Sequence, residues 1–127
     1  MTVSSSKYFT KKELQCKCGC KQANMSKKFM ARLDALRDTW GKPIYLSSAY
    51  RCPEHNNNVS STGKKGPHTT GKAVDILIYG GHAHALLGFI IDFDFQGVGQ
   101  HQKGKYADRF IHIDDLGGKT RPWVWSY

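Results

Sequence analysis

Two short segments in which apolar and polar residues alternate, 73–79 and 109–114, place the strongest constraint on the fold. Successive side chains of a β-strand point to opposite faces, so Val74 and Ile76 share one face and Asp75 lies on the other. His112 and Asp114 are two residues apart and therefore share a face of the second segment. If the two strands are neighbours in one sheet, their imidazole and carboxylate groups converge on one face.

A helix is predicted over Lys27–Trp40, ahead of the two strands. Ser26 is a suitable N-cap, and the segment 41–43 (Gly-Lys-Pro) ends the helix. Apolar residues recur at spacings of three and four, as expected for one buried stripe. The stripe consists of Phe29, Met30, Leu33, Leu36 and Trp40.

The remaining patterns predict an α+β fold, in which a small antiparallel sheet has helices packed on one side. Thr10 and Glu13 have the spacing of a capping box, which indicates a short helix. The other predicted elements are a strand at 44–50, a loop at 56–67, a helix at 82–91, a strand at 97–101 that forms a hairpin with 109–114, and a C-terminal edge or cover at 116–127. The length of 127 residues fits a single domain, 1–127, that begins with a polar tail at 1–7.

Net charge and hydropathy limit the surroundings of the protein. The formal net charge is +9, which favours anionic surroundings such as acidic cell-wall polymers. The basic residues are scattered rather than patterned, so nucleic-acid binding is not expected. The sequence has neither a membrane-spanning apolar run nor a secretory signal at its start, so we expect synthesis in the cytoplasm.

Four cysteines occur at positions 16, 18, 20 and 52. The C-x-C-x-C spacing differs from the usual C-x2-C spacing of a zinc ribbon. Reduced thiols are the favoured interpretation, and the alternatives are a structural zinc site or a disulfide from Cys52 to the cluster.

The two His/Asp segments also suggest a metal site. Zinc accepts imidazole nitrogen and carboxylate oxygen, and a catalytic zinc site uses three protein ligands. His68 and Asp75 flank the entry to the first strand, and His112 lies on the second. The spacing alone leaves a structural histidine and a turn aspartate as the alternative.

Three motifs together resemble those of a known family. Arg51 within Ser-Ala-Tyr-Arg-Cys-Pro is followed by His68-x-x-Gly71-x-Ala73-x-Asp75 and then by His112-x-Asp114. This order resembles the zinc D-Ala-D-Ala carboxypeptidase family, which includes vancomycin-resistance dipeptidases, phage endolysin peptidases and the hedgehog signalling domains. The likeness is closest to the short bacterial and phage members.

The resemblance implies a hedgehog/DD-peptidase-like fold in which His68, Asp75 and His112 bind zinc. Arg51 would hold a substrate carboxylate or polarise the scissile carbonyl. The implied substrates are peptidoglycan stem peptides, cleaved by a carboxypeptidase or an endolysin-type endopeptidase that acts at the cell wall. Phage and cellular origins both remain open, as does the oligomeric state.

Two positions depart from the family pattern. Gly66 replaces the serine that many relatives have two residues before the first histidine. Arg109 replaces the glutamate that serves as catalytic base three residues before the last ligand. Asp114 is therefore the predicted base, with Asp115 and Asp108 as weaker candidates.

Three alternatives stay open at this stage. If the chain follows the relatives that carry a His-x-His motif, Asp114 is itself a metal ligand and His112 assists it. His101 either stabilises an oxyanion or is an exposed hairpin residue. The whole domain, lacking the usual glutamate, is either a peptidase or a catalytically inactive metal-bound module that binds the cell wall or a partner.

Overall fold

The computed structural model describes residues 1–127 and has the predicted α+β fold. The helices are α1 (Lys11–Leu14), α2 (Lys27–Trp40), α3 (Pro53–Val59) and α4 (Gly80–Asp92). The strands are β1 (Thr2–Val3), β2 (Met25–Ser26), β3 (Tyr45–Ser48), β4 (Ala73–Leu77), β5 (Gly97–His101), β6 (Phe110–Asp114) and β7 (Trp123–Ser126). No helix is long and apolar enough to cross a membrane.

The strands that carry the His/Asp residues are neighbours in a five-stranded sheet of order β3-β4-β6-β5-β7. β4 and β6 pair antiparallel, with Asp75 opposite His112 and Val74 opposite Ile113. Directly opposite residues point to the same face, so this register places the polar side chains together. The predicted convergence of the two strands is confirmed.

The sheet is antiparallel except at one edge, where β7 runs parallel to β5. Both edges of β6 are already occupied, by β4 on one side and by β5 on the other. The chain reverses after β6 and adds to the free edge of β5, which is itself antiparallel to β6. A strand antiparallel to β6 is necessarily parallel to β5.

One hydrophobic core joins α2 and α4 to the apolar face of the sheet. The prediction for α2 is confirmed in detail: Ser26 caps it, and Gly41 ends it in the left-handed region at φ 73°. The capping box of Thr10 and Glu13 also forms, at the start of α1. The core face of the sheet is supplied by Val74, Ile76, Val98, Ile111 and Ile113, all of which are buried.

Two segments are more ordered than their composition suggested. Residues 1–7 are not simply a tail, because β1 pairs with β2 and fixes the start of the chain against α2. The predicted loop at 56–67 contains the end of α3 and the 3-10 turn Gly63–Lys65, and a second turn, Pro67–Thr70, begins at its last residue. Asn56 is fully buried there, and its amide donates to Thr62 Oγ1 at 2.9 Å. Pro53 suits the first turn of α3, where its fixed φ is already helical.

Candidate active site

His68, Asp75 and His112 form one buried cluster on the polar face of the sheet. Asp75 Oδ1 lies 3.2 Å from His68 Nε2 and 2.9 Å from His112 Nδ1. His68 reaches the cluster from the 3-10 turn Pro67–Thr70, which precedes β4, while the other two residues lie at the centres of paired strands. The three side chains predicted as ligands are therefore brought together.

The outer nitrogen of each histidine ring has a hydrogen-bond acceptor of its own. His68 Nδ1 donates to the backbone carbonyl of Ala49 at 2.7 Å. His112 Nε2 donates to Asp114 Oδ2 at 2.7 Å. With a proton on each outer nitrogen, the inner nitrogens are the ones that would turn lone pairs to a cation; without a cation, a ring that gains a second proton donates it to Asp75 Oδ1. Two imidazole nitrogens and one carboxylate oxygen are a donor set that suits zinc and leaves a coordination position open.

The ionisation of the cluster sets how a proton and a cation compete for it. Burial alone would raise the pKa of Asp75, but hydrogen bonds from His112 and His68 keep that pKa well below its usual range. Burial would lower the pKa of His112, yet the hydrogen bonds to Asp114 and Asp75 raise it. Asp75 is thus a carboxylate at neutral pH, and a proton competes with a cation for His112 Nδ1.

Asp114 lies on the opposite side of the His112 ring from Asp75 and is fully buried. Arg121 binds it with two hydrogen bonds, Nε to Oδ1 at 2.9 Å and Nη2 to Oδ2 at 2.8 Å. The backbone N–H of Leu116 adds a third at 3.3 Å. Burial raises the pKa of Asp114, but Arg121 and His112 outweigh this and lower it to about 2.

A comparison with sequence families identifies the family of the domain that contains this cluster. A sequence model of peptidase M15 matches residues 7–114, which include all three clustered side chains and Asp114. The chain belongs to the peptidase M15 family. No curated protein sequence matches the chain significantly. The M15 family is zinc-dependent, and the donor set described above fits that metal.

In this M15 domain Arg51 lies at the edge of the cluster. Its Nη2 is 3.7 Å from Asp75 Oδ2, the carboxylate oxygen that does not touch the histidines. Its Nη1 donates to Asn56 Oδ1 at 3.2 Å, and its backbone N–H donates to the carbonyl of His68. The side chain is 19% exposed, so the guanidinium is held in place but is reachable from solvent.

A cleft of about 510 Å³ opens beside Arg51 and Asp75. Asp108, which is exposed at the end of a 3-10 turn before β6, lines the same cleft. Asp115 lies elsewhere, because it forms an ion pair with Arg32 of α2 at 2.7 Å. Of the three carboxylates considered as bases, Asp108 is therefore the one that faces the cleft.

Aromatic side chains of β7 and its neighbours border the cluster. The ring of Trp125 lies 5.2 Å from that of His112, and it fits there because Gly99 beneath it has no side chain. His101 stacks on Phe110 at 5.2 Å and is half-buried rather than exposed. Tyr127 is 48% exposed; its partial burial and the charge of Asp75 raise the pKa of its phenol, while a hydrogen bond with Trp125 opposes the rise.

Sequence reasoning missed the part played by Arg121 and Trp125. Arg121 packs over the Trp125 ring, 5.0 Å from its centroid, while it holds Asp114. The segment Arg121-Pro122-Trp123 contains the arginine, but nothing in its spacing indicates an ion pair with a carboxylate seven residues earlier.

Proposed function

We propose that this M15 domain is a zinc peptidase that hydrolyses peptidoglycan stem peptides, either as a D-Ala-D-Ala carboxypeptidase or as an endopeptidase. The observation that carries the proposal is the convergence of His68 Nε2, His112 Nδ1 and Asp75 Oδ1 beside an open cleft. A purely structural histidine pair would not need both inner nitrogens directed at one carboxylate oxygen. When bound there, zinc supplies Lewis-acid activation of water and of the scissile carbonyl.

Arg51 anchors the substrate. A guanidinium binds a carboxylate or a carbonyl oxygen through a planar fork of N–H donors. Asn56 accepts one of its N–H groups, and Asp75 lies close to another, so the fork is oriented before a substrate arrives. This preorganisation favours a peptide whose terminal carboxylate or scissile carbonyl reaches the Arg51 end of the cleft.

Asp108 is the general base in this proposal, and Asp114 is a positioning residue. A base must approach the proton that it removes, and Asp108 lines the cleft while remaining exposed. The Asp114 carboxylate accepts hydrogen bonds from Arg121, Leu116 and His112 and is separated from the cleft side of the cluster by the His112 ring. These contacts support an orienting role, in which Asp114 fixes the tautomer of His112.

Action at the cell wall is part of the same proposal. The net charge of +9 favours association with acidic wall polymers, which would keep the enzyme near its substrate. A phage-encoded lysin and a cellular wall enzyme are both compatible with that role.

The test is a digest of purified peptidoglycan and of a synthetic peptide that ends in D-Ala-D-Ala, with the products identified by mass. Zinc-loaded wild type is expected to release a defined fragment, and His68→Ala is expected to release none. His84→Ala is the matched control, because His84 is exposed on α4 outside the cluster. Equal turnover by wild type and His68→Ala, or no turnover by zinc-loaded wild type, would overturn the enzymatic proposal.

An inactive wall-binding module is the second candidate, and one observation favours it. The position three residues before His112 is Arg109, whose side chain donates to the carbonyl of Gly104 and carries no base. Full zinc occupancy with tight wall binding but no released peptide would select this function.

A further inference from the structure

The four cysteines, which the active site does not use, converge on one point. Cys16 Sγ lies 3.5 Å from Cys18 Sγ and 3.7 Å from Cys52 Sγ, and the latter two are 3.6 Å apart. All four sulfurs, including that of Cys20, lie within 4.8 Å of one another. Four thiols this close form a cage rather than a chance grouping of small apolar residues.

The spacing of these sulfurs suits a metal better than a disulfide. A disulfide requires two sulfurs at about 2.05 Å, and none of the four is bonded in this way. Tetrahedral zinc with Zn–S bonds of about 2.3 Å would place its sulfurs about 3.8 Å apart. The separations of 3.5, 3.6 and 3.7 Å are close to that value.

A tight backbone turn explains how C-x-C-x-C supplies three converging sulfurs. Gly19 has φ 94° and Lys21 has φ 63°, so the chain enters the left-handed region twice within three residues. The backbone N–H of Cys16 donates to the carbonyl of Gln22 at 2.7 Å and closes the loop. A non-glycine residue at positive φ is uncommon, and it persists where surrounding contacts hold it.

One backbone amide is directed at a sulfur of the cluster, because Cys52 N–H donates to Cys16 Sγ at 3.3 Å. Hydrogen bonds of this kind orient metal ligands from outside the coordination sphere.

We propose that Cys16, Cys18, Cys20 and Cys52 bind a structural zinc ion through four thiolates. A closed set of four sulfurs leaves no coordination position for a substrate, as expected of a structural site. The ion joins the turn after α1 to the segment that leads from β3 into α3. Because Cys52 follows Arg51 directly, the site also positions the substrate anchor, a consequence that rests on the proposed peptidase function.

Metal analysis of the purified, reduced protein tests the site without requiring any activity. Wild type is expected to hold two zinc ions per chain, one in each candidate cluster. Cys18→Ser should lose one ion and keep the histidine-bound one, whereas His68→Ala should show the reverse. Lys17→Ala, an exposed change within the same turn, is the matched control and should keep both ions.

Two measurements on wild type cover the case in which a cysteine variant fails to fold. Cobalt substitution should give a thiolate-to-cobalt charge-transfer band, and this band should survive His68→Ala. All four thiols should react with a thiol reagent only after chelation or denaturation. An absent band, or four thiols that react in the native protein without chelation, would overturn the proposal in favour of free cysteines. Fewer than four reactive thiols after denaturation without reductant would overturn it in favour of a disulfide.

Steady-state kinetics of a cysteine variant distinguish a zinc ion that positions Arg51 from one that only stabilises the fold. If the zinc holds Arg51 in place, a folded Cys20→Ser variant should raise KM for the peptide more than it lowers kcat. Loss of metal without any change in KM would overturn the positioning role, and it would leave the peptidase proposal intact.

Discussion

His112 donates its Nε2 proton to Asp114 over 2.7 Å, and the opposite nitrogen, Nδ1, lies 2.9 Å from Asp75. The His112 ring thus separates two carboxylates, Asp75 and Asp114, that have different roles. Asp75 shares the cluster with His68, while Asp114 is bound by Arg121 and sets the orientation of the ring from behind. The following predictions depend on this division.

Asp114→Asn is expected to weaken zinc binding at the histidine cluster by about 10–100-fold, as is typical when a hydrogen-bond partner of a metal ligand is lost. The amide no longer compels His112 to carry its proton on Nε2. Competition with a chromophoric chelator measures the affinity. An unchanged zinc affinity would contradict the orienting role of Asp114.

Asp108→Asn is expected to leave zinc affinity unchanged and to lower kcat by about 10²–10⁴-fold, the usual contribution of a general base. Asp108 lines the cleft but makes no contact with the three ligands that would hold the metal. Steady-state kinetics of the zinc-loaded variant provides the measurement. Wild-type turnover in this variant would rule out Asp108 as the base.

Gly97→Ala is expected to destabilise the fold by about 1–3 kcal/mol through overpacking. Gly97 lies opposite Asp114 in the sheet, and a Cβ there would overlap the carboxylate. Gly88→Ala is the matched control, because Gly88 lies in α4 with open space around it. Its free energy of unfolding should rise by about 0.5–1 kcal/mol. Urea unfolding of the metal-free proteins compares the two, and equal free energies of unfolding would contradict the close packing at Gly97.

Zinc affinity at the histidine cluster is expected to fall as the pH decreases through the raised pKa of His112. The neighbouring carboxylates of Asp114 and Asp75 favour the protonated ring, and that proton occupies the nitrogen that zinc requires. In the metal-free protein, the stability of the fold depends on pH with the opposite sign. A histidine with a raised folded-state pKa stabilises the fold fully below its unfolded pKa, and that contribution is lost as the pH rises through the folded pKa.

Calorimetric titration with zinc, on protein whose cysteine site is already filled, measures in buffers of different ionisation enthalpy the proton that binding at the histidine cluster releases. This proton release should increase below the pKa of His112 and vanish well above it. Release that is independent of pH would show that His112 does not supply a ligand nitrogen.

The alternation of residues in β4 and β6 was enough to predict that Asp75 and His112 share a face, because strand parity is a local property. The role of Asp114 could not be predicted in the same way. Parity places Asp114 beside His112, but whether it faces the cleft depends on ring orientation and on Arg121. These are tertiary contacts, which no spacing encodes.

The same reasoning explains the segment 56–67. Its asparagine, glycine and serine content is typical of a loop, yet the amide of Asn56 is buried between Thr62 and Arg51. Composition reports what a side chain prefers in isolation, and here hydrogen bonds to Arg51 and Thr62 override that preference. The parallel pairing of β7 is a further case, because it depends on which sheet edge is free.

The most direct test of the zinc centre is an anomalous difference map at the zinc edge, from crystals of protein purified with zinc. A peak is expected about 2.0–2.2 Å from His68 Nε2, Asp75 Oδ1 and His112 Nδ1, with Asp114 outside the coordination sphere. A map without a peak among these three atoms, or with Asp114 as a ligand in place of His112, would contradict it.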